Sequence, residues 1–600
     1  MPRYALGIDL GTTNSALSFV ALDEDATAAP ALLPVPQVVH AGEVGTRELL
    51  PSFLYLPGAV ELPAGALALP WDPARSYAVG AFAREQGESV PARLVSSAKS
   101  WLSYAGVDRR SAILPWASPA DVEKVSPVDA SARYLQHLRE AWNAEHPDAP
   151  LEDQDLVITV PASFDAVARE LTVEAAHQAG IGERLTLLEE PQAALYAWVA
   201  ASGDGWRKQV QVGDLILVVD LGGGTTDLSL IAVGEEEGTL QLRRVAVGDH
   251  ILLGGDNMDL ALAYAVRTRL EAEGKKLDDW QMRALTYGCR TAKEELFADP
   301  ARQSFPVVVP GRGSKLIGGA IRTELTRDEL TRTLVDGFFP VVGSDARPQV
   351  PRRVGLTTLG LPYASDPAVT RHLAAFLGRQ IGAAANLPAG IHAAGRSYLH
   401  PTAVLFNGGV TKAPVLRDRI VEVLDAWAAA EGGAKVKVLE GGDPDLAVAK
   451  GAAYYGRVRA GRGVRIRGGA ARSYYVGIER AELAVPGIPP RIDAVCVAPF
   501  GMEEGSETTL PDVLGLVVGE PAVFPFFASS SRRDDPVAVR VDPAELEELS
   551  PIETTLAGPA GQVVSVQLHA RYTEVGTLEL AAVDPATGNR WKLEYNVRAE

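Results

Sequence analysis

Two short stretches carry the residue types that hold a phosphate chain. Tyr4-Ala-Leu-Gly-Ile-Asp9 is an apolar run closed by an aspartate; Leu10-Gly-Thr-Thr-Asn14 follows, then a second apolar run, Ala16-Leu-Ser-Phe-Val20. Leu215-Ile-Leu-Val-Val-Asp220 leads in the same way into Leu221-Gly-Gly-Gly-Thr-Thr-Asp227 and Leu228-Ser-Leu-Ile-Ala-Val233. Glycine lets the backbone turn so that successive N–H groups converge on an anion, and threonine hydroxyls add donors. An aspartate at the end of each strand can hold a hydrated magnesium ion beside those phosphates. One such turn is weak evidence, because a glycine-rich hairpin is commonly only a hairpin. Two of them, with aspartates 220 − 9 = 211 residues apart, form a repeat at the spacing of one lobe. That pattern predicts two similar lobes facing each other across a phosphate-binding cleft. No GxxxxGK[ST] run is present, so the chain is not a P-loop protein.

The turns need elements to position them. Ile158-Thr-Val-Pro-Ala162 reads as a strand end, and Ala166 to Gly180 has helical periodicity. Leu187-Leu-Glu-Glu-Pro-Gln-Ala-Ala194 opens a further helix. Leu253-Gly-Gly-Asp-Asn-Met-Asp259 is a glycine turn before a helix, Val404-Leu-Phe-Asn-Gly-Gly-Val410 a strand running into one, and Pro414 sits just inside the next helix. Glycine pairs at helix starts can cradle phosphate or ribose. From 473 onward, short alternating strands broken by turn residues predict a β-sandwich.

Six hundred residues exceed a single core, so about three or four domains or lobes are expected. A formal charge of −19 argues against nucleic acid as the main partner. Arg457, Arg459, Arg462, Arg465, Arg467 and Arg472 lie among glycines and read as a solvated, flexible linker rather than a nucleic-acid patch. Cys289 and Cys496 read as buried thiols in a reducing compartment. The N-terminus lacks the pattern of a secretion signal, and no apolar run reaches the ~20 residues that span a bilayer. The expectation is a cytoplasmic protein without a membrane partner.

Taken together, GIDLGTTNSA, ITVPASF, LEEPQAA, VVDLGGGTTDLSL, LGGDNMD, AKEEL, NGGVTKAP and DPDLAVAKGAA stand in the order seen in the seventy-kilodalton heat-shock (DnaK-like) chaperones, which this chain resembles from about residue 4 to 456. Ser473-Tyr-Tyr-Val-Gly-Ile-Glu479 and Gly576 to Gly588 are similar to the first and last parts of that family's peptide-binding sandwich. The resemblance implies an α/β actin-like two-lobed ATPase domain over 1–456, an Arg/Gly-rich linker over 457–472, and an all-β, substrate-binding-like sandwich over 473–600 without a helical lid. It implies that Asp9 and Asp220 organise magnesium and its waters, and that Glu190 hydrogen-bonds a metal-bound water. Gly11, Thr12, Thr13, Asn14 and Gly222, Gly223, Gly224 and Thr225 would hold phosphates, with Asp227 beside them in the catalytic set. Lys99, a surface lysine by spacing alone, matches the lysine that stabilises the transferring phosphoryl group. Gly254, Gly255, Lys293, Gly408 and Gly409 would contact sugar, base or phosphate, with Asp445 nearby. Arg169 matches an arginine where the family meets its J-domain co-chaperones.

Three positions depart from the family's adenosine pocket: Glu294, where an arginine is usual, Val410 in place of a serine, and Lys412 in place of an arginine. The expected function is a slow, magnesium-dependent ATPase that binds ATP/ADP (K+ left open) and unfolded or extended peptides. A J-domain co-chaperone and a nucleotide exchange factor are its candidate partners. The alternatives are a non-catalytic ATP-binding interaction protein, a sugar-kinase-type phosphotransferase and a filament former.

Overall fold

The computed structural model describes all residues except 1, 24–27, 117, 183, 237–238, 312–319, 350–359, 382–395, 462–469, 471, 482, 484–489, 503–505, 530, 574–577 and 594–600. Strand Tyr4–Leu10 folds back antiparallel onto Asn14–Ala21, with Leu10 opposite Ser15 across the first glycine turn. Its other edge pairs in parallel with Asp155–Val160, which in turn carries Leu185–Glu189. Parallel neighbours need crossover connections, and the helices Pro127–Glu145 and Ala166–Gln178 supply them.

The second half repeats this plan. Strand Leu215–Leu221 turns antiparallel into Thr226–Glu236 and pairs in parallel with Ala403–Asn407, then Lys437–Leu439. All seven residues of Leu215–Leu221 are buried, as an apolar strand covered on both faces must be.

Where the halves meet, helix Ala447–Arg459 lies on strand Tyr4–Leu10 and on helix Glu190–Ser202. Contact there is backbone to backbone: a Cβ on Gly7 would sit 2.2 Å from Ala453 N, and one on Gly451 1.8 Å from Ala193 O. Trp198, Trp206, Tyr454 and Val458 fill the core that both sheets share.

The same helix corrects one expectation. Helical structure runs through Arg459, so the arginine-rich stretch does not begin as a linker at 457. Arg457 is buried: its guanidinium lies over the Tyr454 ring and donates to Ala28 O at 2.6 Å, so burial leaves the charge partnered. Arg462, Arg465 and Arg467 lie outside the described residues.

Beyond 472 the described chain is strand and turn apart from one 3-10 helix, Pro543–Glu545. One antiparallel sheet runs Arg540–Val541, Ile492–Ala498, Ser473–Glu479, Pro521–Ser529, Glu547–Thr555; a second is built on Gln562–Tyr572 and Leu578–Val583. Val476 and Val495 from the first meet Leu516, Val566 and Leu580 from the second in one core. Arg533 of this unit donates to Gln380 Oε1 at 2.9 Å, a direct contact with the chain before 472, and lies over the Phe500 ring of its own unit. Among the described residues no helix is long and apolar enough to cross a membrane.

Candidate functional site

Asp9 and Asp220 occupy equivalent positions, and each is gripped from the neighbouring parallel strand. Thr159, in register with Asp9, donates to its Oδ1 at 3.1 Å. Asn407, in register with Asp220, donates through Nδ2 to Oδ2 at 2.7 Å. Neither partner figured in the sequence-based site; its signal is the strand-end position opposite each aspartate.

The two glycine turns face each other closely. A Cβ on Gly223 would lie 1.8 Å from Thr13 Oγ1, and one on Gly224 2.7 Å from Thr12 Cγ2. Gly254 allows a third backbone to close in, since a Cβ there would be 2.6 Å from the carbonyls of Gly222 and Gly223. The next helix, Gly255–Ala272, is tied down by Gly255 N donating to Gly222 O and Asp256 N to Gly223 O. Gly408 has φ +83 and passes against Leu221 O, a backbone only glycine adopts without strain there.

Lys99 enters from helix Ala98–Ser103, whose preceding residue, Ser97, has a left-handed φ of 55. It is 7% exposed and its Nζ pairs with Glu190 Oε1, at the first residue of helix Glu190–Ser202. Burial opposes its charge, yet Glu190, Asp9 and Asp220 together hold its ammonium above the ordinary lysine range. Burial raises Asp9, against the pull of Lys99. It pushes Glu190 up to about 7, with Asp9 and Asp227 adding to the rise. Asp220 is raised well above its usual range by burial and by Glu190. Three acids share one lysine, so the pocket has a deficit of positive charge. Among the described residues no group of three or more His, Cys, Asp or Glu is arranged to hold a metal directly.

These groups line a cleft of about 740 Å3, together with Gly11, Thr12, Thr13, Asn14, Gly222, Gly223, Thr225, Gly255, Lys293, Gly408, Gly409 and Asp445. Gly224, Gly254 and Asp227 stand just behind this lining. Asp227 pairs in register with Asp220 and accepts from Ser163 Oγ at 2.6 Å. All three departures line the cleft too. Glu294 is half exposed and 3.6 Å from Arg84, a residue of the opposite half. Lys412 pairs with Asp445 and, at 3.4 Å, with Asp443. Lys293 is held by Asp259 at 2.7 Å, and Arg290 bonds both Asp256 and Asp259. Arg84 and Arg290 were missed in the sequence because nothing in their spacing links them to the turns, whereas Asp256 and Asp259 stand in the run after Gly254-Gly255 and were passed over beside its glycines.

Arg169 requires a correction. It is 6% exposed and bonded to Glu189 Oε1 at 2.8 Å, with Arg244 of the other half on the second oxygen. A guanidinium enclosed in this way is not presented to a docking partner.

A family model described as Hsp70 protein matches residues 75–342. The chain is Hsp70-like. Among curated relatives, chaperone protein HscA of Serratia proteamaculans is 36% identical over 279 residues, covering 44% of this chain and 38% of that protein. A chaperone protein HscA homolog of Polynucleobacter necessarius is 32% identical over 384 residues, 59% of this chain and 54% of the relative. HscA of Cronobacter sakazakii is 33% identical over 303 residues, 49% and 42%. The Hsp70-like alignments thus span about half the length of these relatives or less.

Proposed function

We propose that this chain is an ATP-dependent chaperone of the Hsp70 type. The single observation that carries the reading is the pair of equivalent hairpins, with Asp9 and Asp220 each gripped from a parallel neighbour and Lys99 and Glu190 between them. In this reading, 1–456 is an actin-like two-lobed ATPase domain and the unit after 472 binds unfolded or extended peptides. The protein works in the cytoplasm, and J-domain co-chaperones and exchange factors are partners to be tested, with no docking role for Arg169. HscA-named relatives and the two-sheet C-terminal unit favour this reading over a sugar kinase or a non-catalytic ATP-binding protein.

The two glycine turns hold the phosphates: Gly11, Thr12, Thr13 and Asn14 from one side, Gly222 to Thr225 from the other. Gly254, Gly255, Lys293, Gly408 and Gly409 hold the sugar and base, with Asp445 nearby. A cleft of about 740 Å3 suits a nucleoside triphosphate. The acid-rich donor set fits a magnesium ion held through its waters by Asp9, Asp220 and Glu190, rather than one ligated directly. When bound, that ion neutralises phosphate charge.

Hydrolysis joins a water oxygen to the γ-phosphorus as the bond to the β,γ-bridging oxygen breaks. The electron pair of that bond stays on ADP, and the water's proton leaves with the phosphate products. Lys99 stabilises the charge on the transferring phosphoryl group, and the turns hold it in line. Calorimetry with MgATP, then ATPase rates with and without an unfolded peptide, test the proposal. No ATP binding would overturn it, and transfer to a sugar hydroxyl would favour the kinase reading.

A further inference from the structure

Behind the phosphate turns, four side chains form a hydrogen-bonded chain that joins the two halves. Ser103 ends the Lys99 helix, and Ser163 lies in the turn after strand Asp155–Val160; both belong to the first half. Asp227 is the second residue of strand Thr226–Glu236, and His250 sits just before the Gly254-Gly255 turn; both belong to the second. Ser163 Oγ lies 2.6 Å from Asp227 Oδ1 and 2.7 Å from His250 Nδ1. His250 Nε2 lies 3.2 Å from Ser103 Oγ.

Proton counting fixes the direction of these bonds. Burial pushes the Asp227 carboxyl upward, but hydrogen bonds from His250 and Ser163, with the charge of Lys99, hold it below the ordinary range. An ionised carboxylate only accepts, so the one proton on Ser163 goes to Asp227. His250 Nδ1 must therefore carry a proton and donate to Ser163. Ser103 Oγ, which also reaches Ser100 O at 2.9 Å, closes the chain on Nε2, the direction of that bond following the ring's tautomer. The ring lies 3.8 Å from the Asp227 carboxylate.

The surroundings fix this ring. The Phe164 ring meets it edge to face, with centroids 6.0 Å apart. Ile251 O accepts from Thr226 N at 2.9 Å, locking the histidine loop to the Asp227 strand. The charged groups beside it include Asp227 on that strand and Asp249, its chain neighbour, which is engaged by Arg379 at 2.6 Å.

Resting on the ATPase reading above, we propose that His250 is a positioning residue for ATP hydrolysis, acting through Ser163 to orient Asp227 and tying the two halves together behind the phosphates. Losing such a supporting hydrogen bond costs about 10- to 100-fold in activity. His250→Gln and Ser163→Ala should each lower kcat by that factor, with the dissociation constant for MgATP within about twofold of the wild type, which also reports that the variants fold.

Links in series are not additive, so the double variant should be no slower than the worse single one.

A chain that binds ATP without hydrolysing it refutes both this proposal and the ATPase reading. A chain that hydrolyses ATP, with a His250→Gln rate within twofold of wild type or additive single effects, refutes this proposal alone.

Discussion

Replacing Lys99 with alanine separates catalysis from binding. Its Nζ is the single ammonium among Asp9, Glu190 and Asp220, 7% exposed and paired with Glu190. An aimed, buried donor that meets developing charge contributes about 2.7–4 kcal/mol to the transition state, so Lys99→Ala should slow hydrolysis about 10²- to 10³-fold. Ground-state binding rests mainly on the glycine turns, so the dissociation constant for MgATP should move by less than about tenfold.

Breaking a buried ion pair commonly costs about 3–5 kcal/mol of stability, because the orphaned charge stays buried. Here the loss should fall at the low end of that range. Glu190 is already pushed up to about 7, and without the lysine it takes a proton instead of remaining an isolated carboxylate. Single-turnover hydrolysis, calorimetry and chemical denaturation of the same preparation read all three quantities. A variant that hydrolyses ATP within threefold of the wild-type rate would show that Lys99 is only a counter-ion for the acids and has no part in the chemistry.

Asp9→Asn or Asp220→Asn should instead weaken the magnesium dependence, read as a rightward shift in the metal titration of ATPase activity. Glu294 and Val410 take the places of residues that would clasp the base, and an arginine stacked on a base contributes about 0.5–2 kcal/mol. ATP binding should therefore be weaker than is usual for the chaperones this chain resembles by roughly 2- to 30-fold, with poor discrimination against GTP. Calorimetry showing tight, strictly adenine-selective binding would contradict it. His137 is buried, with Nε2 donating to Pro36 O, and burial lowers its pKa from 6.5 to about 4. The unfolded chain then takes up the proton first, so stability falls as pH drops from about 6.5 to 4, by about 3 kcal/mol in all. Denaturation midpoints at several pH values should show that slope in the wild type and lose it in His137→Gln.

The reach of the sequence depended on how each residue is placed. Asp9 and Asp220 were legible because each closes an apolar run and opens a glycine turn, a pattern contained within a dozen residues. Lys99 carried no such mark: its partner Glu190 is 91 residues away, so only resemblance to a family drew attention to it. Thr159 and Asn407 were half legible, since a strand-end residue opposite a functional aspartate is predictable once the parallel pairing is known, but not before. Composition misled at Arg457, where neighbouring glycines and arginines suggested an exposed tether. The tyrosines that precede it, Tyr454 and Tyr455, belong to a helix buried along almost its whole length, and the guanidinium is enclosed with them.

Arg169 and His250 show the limits of motif matching from opposite directions. Arg169 sits inside a matched run, yet it is enclosed with Glu189 and Arg244 and unites the two halves from within. His250 belongs to no motif, and its contacts to Ser103 and Ser163 span 147 and 87 residues. Arg169 is buried and His250 partly buried between the halves, where a lost partner is costly because little water can replace it. Glu189 adjoins Glu190, and Ser103 lies on the same short helix as Lys99. A rotation of one half against the other would strain both clusters while also moving the lysine–glutamate pair. The cleft's geometry is thus set by the joint between its halves as much as by the residues that line it.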